Sequence, residues 1–116
     1  MASPVDWEKA LENADGSEEL LLELVEVFND ECPEMMRQIR AAIDERNAPA
    51  LRRTAHNLKG SARIFAATAA TETAQRLENM GAEGELSGAQ ACWTQLSREV
   101  ERLTAALTER IGRQDS

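Results

Sequence analysis

Between positions 21 and 42 the apolar residues Leu21, Val25, Phe28, Cys32, Met35, Ile39 and Ala42 recur at steps of four and three without slipping. On a helix of 3.6 residues per turn such positions stack into one stripe, so the segment reads as a long helix with a single face committed to a core. Pro33 lies inside the stripe, removes one backbone hydrogen bond and predicts a kink. The unbroken phase favours one kinked helix over about 17–46 rather than two. A lone helix cannot bury such a stripe, so the rest of the chain must supply its partners.

Those partners are legible as further helices. Residues 5–13 read as a short amphipathic helix whose Val5, Trp7, Ala10 and Leu11 cover one end of a bundle. Asp15 with Glu18 resembles a capping box and places the next helix start near Ser17. Asn47-Ala48-Pro49 is a stop and restart, with Pro49 suited to the first position of a helix over about 49–65. A turn around Ala67 and Thr68 leads to a helix over about 69–80, with Gly81 placed to cap it. Its inward side, Ala70, Thr73, Ala74 and Leu77, is mostly small, so the backbones of this hairpin should lie close together. After a polar loop over 81–88, Ser87 with Gln90 forms a second capping box. The last helix, about 88–111, carries Ala89, Trp93, Leu96, Val100, Leu103 and Leu107 on one side, and the tail from Gly112 should fray. Alternating β-branched runs are absent. The pattern predicts a single all-α domain over 1–116, an antiparallel up-down four-helix bundle with a short extra N-terminal helix.

Composition narrows what such a bundle can do. The 116 residues carry a net charge of −8, which argues against nucleic acid, because binding a phosphate backbone needs a broad basic surface. The two cysteines, Cys32 and Cys92, form no C-x-x-C pair and read as small buried hydrophobes; with one histidine in the chain, no metal site is expected. There is no glycine-rich phosphate loop and no acidic cluster for magnesium, so no cofactor is expected and the chain has no means of using ATP. No apolar run approaches the ~18 residues of a membrane span, and the N-terminus lacks a signal-peptide pattern. These features point to a cytoplasmic protein.

The chemistry concentrates in 51–67, LRRTAHNLKGSARIFAA, which holds the single histidine. Leu51, Ala55, Leu58, Ala62 and Phe65 form its apolar stripe, and Arg52, His56, Lys59, Gly60 and Arg63 fall on the opposite side, where His56 points to water. Residues 46–71 contain five basic side chains and no acidic one; against a total of −8, the remainder carries −13. A basic stripe centred on an exposed imidazole, on an acidic protein, suggests a seat for a small dianion. Glycine inside a helix costs about 1 kcal/mol relative to alanine. Gly60, one turn after His56, leaves the ring open to a bulky group or another protein; the alternative, close packing of a neighbouring helix, is opposed by its position away from the apolar stripe.

The run His56-Asn57-Leu58-Lys59-Gly60-Ser61-Ala62 resembles the His-x-Leu-Lys-Gly-Ser-Ala motif of histidine phosphotransfer (HPt) domains, the intermediates of two-component phosphorelays. Residues 17–42, with Phe28 and Pro33, and the later Leu77-Glu78 pair are similar in pattern and spacing to the rest of such a domain. The sequence departs at Ala66, where the family usually has glycine. The resemblance implies the same bundle and a phosphocarrier rather than an enzyme. In it, His56 takes a phosphoryl group from an aspartyl phosphate on a response-regulator receiver domain, free or in a hybrid sensor kinase, and passes it on.

A neutral imidazole is a competent nucleophile near neutral pH because its reference pKa is about 6.5. Lys59, Arg52 and Arg63 would then face the charge that the phosphoryl group brings, while Arg52, Arg53 and Arg63 also attract the partner. Glu78, 22 positions after His56, is where the resemblance implies a Glu or Gln accepting a hydrogen bond from the other ring nitrogen. The alternatives are a solvated Glu78 paired with Lys59 or Arg76, and Gln75, one turn earlier, as the acceptor. Ser61 either helps position the phosphoryl group or bonds back to a carbonyl one turn earlier. Met36 and Ile43, flanking the core stripe, form either an apolar docking patch beside His56 or plain core filling.

Two rival readings remain: the dimerisation and phosphoacceptor domain of a histidine kinase, and a non-catalytic helical adaptor. Many kinase domains of that kind place an acidic residue directly after the histidine, whereas this chain has Asn57. The phosphocarrier reading predicts a monomer and the kinase reading a dimer.

Overall fold

Ser17 sits in extended backbone and its hydroxyl accepts from the Leu20 amide, which starts helix α2, Glu18–Asp44, with Glu18 and Glu19 at the positive end of the helix dipole. The structure, a computed structural model, describes residues 3–115 and the side chains of 3–112. α2 follows a short helix α1, Trp7–Asn13, and precedes α3, Ala48–Ile64, α4, Thr68–Glu83, and α5, Ala89–Asp115; among the described residues there is no strand. The helix capped near Ser17 therefore begins where expected, but the cap is Ser17 itself, since Asp15 lies in the preceding turn at φ +55°. Pro33 is accommodated inside one helix.

Around the bundle α2 lies against α3, α3 against α4, α4 against α5, and α5 closes the ring against α2. With connections this short, consecutive helices run antiparallel, giving the up-down bundle that the sequence predicts. All five predicted stripe residues of α3 are fully buried, and Phe65 meets Phe28 of α2 edge-on at 5.5 Å between ring centroids. In α2 the buried residue after Cys32 is Met36, not Met35. Steps of three and four from Cys32 straddle the inward direction, and Met36 takes the side facing α5, where its carbonyl accepts from the Trp93 indole at 3.1 Å. Cys32 and Cys92 are free and buried, and burial pushes the Cys32 thiol up to about 11.

The turn after α3 places Ala66 at φ +51°, with the Ala67 amide donating to the Ala62 carbonyl and the Ala66 amide to Arg63. This is a Schellman turn with alanine where glycine is easiest. α1 braces that turn: Asn13 Nδ2 donates to the Ile64 carbonyl at 3.0 Å, and the Asp6 amide to Phe65 at 3.3 Å.

α4 departs from expectation at its end. Gly81 does not cap the helix but lies buried inside it, and the left-handed residue that ends α4 is Gly84 at φ +71°. A Cβ on Gly81 would stand 2.5 Å from the Arg52 nitrogen and 2.8 Å from the Ala48 carbonyl oxygen, so the backbones of α3 and α4 touch here. The connection to α5 is shorter than predicted, and α5 starts after Gly88, whose carbonyl accepts from the Cys92 amide, rather than on a Ser87 cap. α5 extends to Asp115, and Ser116 lies outside the described residues.

Candidate functional site

Asn47 accepts from the Ala50 amide and launches α3, and eight residues into that helix His56 stands on the outer side with 63% of its side chain exposed. One face of the ring lies beside α4, where the close approach at Gly81 brings Glu78 within reach. His56 Nδ1 is 3.2 Å from Glu78 Oε1. The same oxygen accepts from Lys59 Nζ at 2.8 Å, and that ammonium also donates to Gln75 Oε1 at 2.9 Å. Gln75 Nε2 in turn donates to Asn79 Oδ1 at 2.8 Å. Gln75, Glu78 and Asn79 recur at steps of three and one along α4, so one helical turn supplies both acceptors for Lys59 and one for His56.

The electrostatics follow from this geometry. The Lys59 hydrogen bond holds the Glu78 carboxyl below the usual carboxylate range, partly offset by desolvation, with the His56 hydrogen bond adding to the lowering. An ionised carboxylate only accepts, so the proton of the neutral ring resides on Nδ1. Nε2 then carries the lone pair.

Lys59 differs from expectation. The helical spacing puts it on the solvent side with the other cations, yet it is buried at 8% exposure. The small residues Ala70, Ala74 and Gly81 let α4 close over that flank of α3, and the ammonium survives burial because it is doubly accepted. It is therefore committed to Glu78 and Gln75 and does not line the open side of the ring. That side is a shallow hollow of about 540 Å³ lined by Pro49, Arg52, Arg53, His56, Asn57 and Glu78, with Gly81 and Ala82 at its edge. Arg52 and Arg53 thus share the hollow with His56, whereas Arg63 lies nearly two turns further along α3, close to α1. Gly60 is exposed, and a Cβ there would meet nothing within 4 Å.

Ser61 is half-buried and faces α2, in a groove with Asp30, Glu31, Glu34, Met35, Gln38 and Asn57. Met36 is buried between α2 and α5, the core-filling alternative; the methionine on the α3 side is Met35. Ile43 is half-buried against the core. The one sequence signal for Asn79 is its four-residue step from Gln75.

Comparison with protein families matches residues 23–106 to the model described as "Hpt domain". Among solved structures the chain resembles histidine-containing phosphotransfer protein B (HptB) from Pseudomonas aeruginosa, at 26% identity and a TM-score of 0.89 over 97% of this chain and 98% of that one. It also resembles the HPT domain of a sensor hybrid histidine kinase from Shewanella, at 18% identity and a TM-score of 0.84, covering 96% of each chain. Comparison with curated protein sequences finds no match.

Proposed function

The chain belongs to the Hpt domain family, and from that membership we propose that Nε2 of His56 is the atom that accepts and releases the phosphoryl group. The protein is a histidine phosphotransfer protein of a phosphorelay, a phosphocarrier whose counterparts are receiver domains and hybrid kinases. The observation that carries the assignment to His56 is the hydrogen bond between Nδ1 and Glu78, which leaves the other nitrogen free on an exposed ring.

In the forward step the Nε2 lone pair attacks the phosphorus of an aspartyl phosphate, the N–P bond forms, and the bond to the aspartyl oxygen breaks with its electron pair leaving on the carboxylate. The ring, substituted on Nε2 and still protonated on Nδ1, becomes cationic. The Glu78 carboxylate faces that charge across the Nδ1 hydrogen bond, and Lys59, with Gln75 behind it, keeps the carboxylate in place. In the return step an aspartyl carboxylate of the next receiver attacks phosphorus and the neutral ring departs. Arg52 and Arg53 face the charge of the phosphoryl group from the rim of the hollow, and Gly60 leaves the approach open.

The four helices of the bundle close within one chain, and no helix among the described residues is long and apolar enough to cross a membrane. We place the protein in the cytoplasm as a monomer without an ATP site, which sedimentation and a nucleotide-binding assay would check. The test of the assignment is to mix the purified chain with phosphorylated receivers. An acid-labile, base-stable label that disappears in His56→Gln is expected; a label retained in that variant, or none in the wild type, would overturn it.

A further inference from the structure

The surface beside His56 changes sign from one helix to the next. Residues 15–36, which include most of α2, hold eight acidic side chains and no basic one, while residues 46–71, around α3, hold five basic and no acidic one. α2 and α3 are neighbours, and at their seam a groove of about 590 Å³ has Asp30, Glu31 and Glu34 on one lip and Asn57 and Ser61 on the other. Asn57 also lines the hollow that holds His56, so the groove and the hollow adjoin. Glu34 is held by Arg37, but among the described residues no ion pair engages Asp30 or Glu31. Among the described residues the exposed large hydrophobics are Leu20 and Val27, at 37% and 50%, and both lie on α2 within the acidic block. Leu20, Val27, Glu31 and Gln38 follow one another at steps of seven, four and seven, which keeps them on one strip of the helix.

We propose that this acidic strip of α2, with its exposed apolar residues, selects the phosphorelay partner: the receiver that docks over His56 presents basic side chains around an apolar contact to α2, while its anionic aspartyl phosphate meets the arginines of α3. The inference rests on the reading of His56 above and adds which receivers are accepted. A partner with the opposite arrangement meets like charges along the strip and is rejected. Because screening confines exposed charges to within roughly 8 Å at physiological salt, the discrimination comes from groups at the lips of the groove, with Asp30 and Glu31 foremost. Such rim charges act on the encounter rate and its salt dependence.

The test is the double variant Asp30→Lys/Glu31→Lys in the full chain. Its phosphotransfer rate is measured against a panel of purified receivers of the source organism charged with acetyl phosphate, and its direct labelling with phosphoramidate serves as a partner-free control. The expected result is a rate from the best wild-type donor lowered by about tenfold or more at low salt, the gap closing as salt is raised. Phosphoramidate labelling of His56 and the helical circular dichroism should be unchanged. Equal rates for wild type and variant at every salt concentration would overturn the charge selection while leaving the His56 assignment standing. Failure of the wild type to accept label from any receiver would remove both.

Discussion

Lys59 Nζ lies 2.8 Å from Glu78 Oε1, and the pair is tucked against α4 with 10% and 17% of the respective side chains exposed. Its energetics have a definite pH dependence. Glu78 titrates below its ordinary value of 4.5, chiefly because of the Lys59 hydrogen bond, so the folded state favours the ionised carboxylate more than the unfolded chain does. That contribution is fully present above 4.5 and is lost as pH falls through the lower folded value. Glu78→Gln removes it. In urea unfolding at stepped pH, the stability difference between wild type and variant should therefore shrink as pH falls from 4.5 through the lower folded value. A difference that grows on acidification would mean that Glu78 is not held ionised.

Two glycines in adjacent helices should respond to alanine with opposite signs. At Gly81 a Cβ would collide with the α3 backbone at 2.5–2.9 Å, so Gly81→Ala is expected to lose about 1–3 kcal/mol despite its better helix propensity. At Gly60 nothing stands within 4 Å, and Gly60→Ala should gain up to about 1 kcal/mol. Thermal and urea unfolding check both. Enlarging Gly60 further separates stability from access: Gly60→Gln should retain the helical signal but block phosphotransfer.

Ala66 holds a left-handed conformation at φ +51° in the turn that follows the His56 helix. An alanine Cβ crowds the following carbonyl there, and glycine does not. Ala66→Gly should accordingly stabilise the fold by about 1 kcal/mol, read as a higher urea midpoint at unchanged slope, with phosphotransfer unaffected.

The stripes of α2 and α3 were readable because a 3.6-residue period and a one-sided core leave little freedom: Leu51, Ala55, Leu58, Ala62 and Phe65 all came out at 0% exposure. What periodicity could not resolve was the edge of a stripe. Met35 and Met36 straddle the inward direction, and only the placement of α5, with Trp93 bonded to the Met36 carbonyl, decides between them. Lys59 is the same case on α3. Its position marks it as polar surface until a neighbouring helix with small residues at Ala70, Ala74 and Gly81 comes close enough to cover it. Gly81 itself was ambiguous because glycine both ends helices and admits close backbones, and Gly84, three residues on, performs the first role. At the site, motif and spacing single out both His56 and Glu78, and the structure pairs Glu78 with His56 and with Lys59, while Gln75 accepts from Lys59 alone. Their coupling through one shared oxygen depends on the register of α4 against α3, which no single segment encodes.

Phosphotransfer through His56 depends on which of its two ring nitrogens reacts. Long-range proton–nitrogen correlation in the phosphorylated protein distinguishes the two, since a phosphorylated ring nitrogen couples to phosphorus and the other retains its proton. Phosphorus on Nε2, with the Nδ1 proton still present and shifted by its hydrogen bond to Glu78, is the predicted result. Phosphorus on Nδ1, or on any residue other than His56, would contradict it.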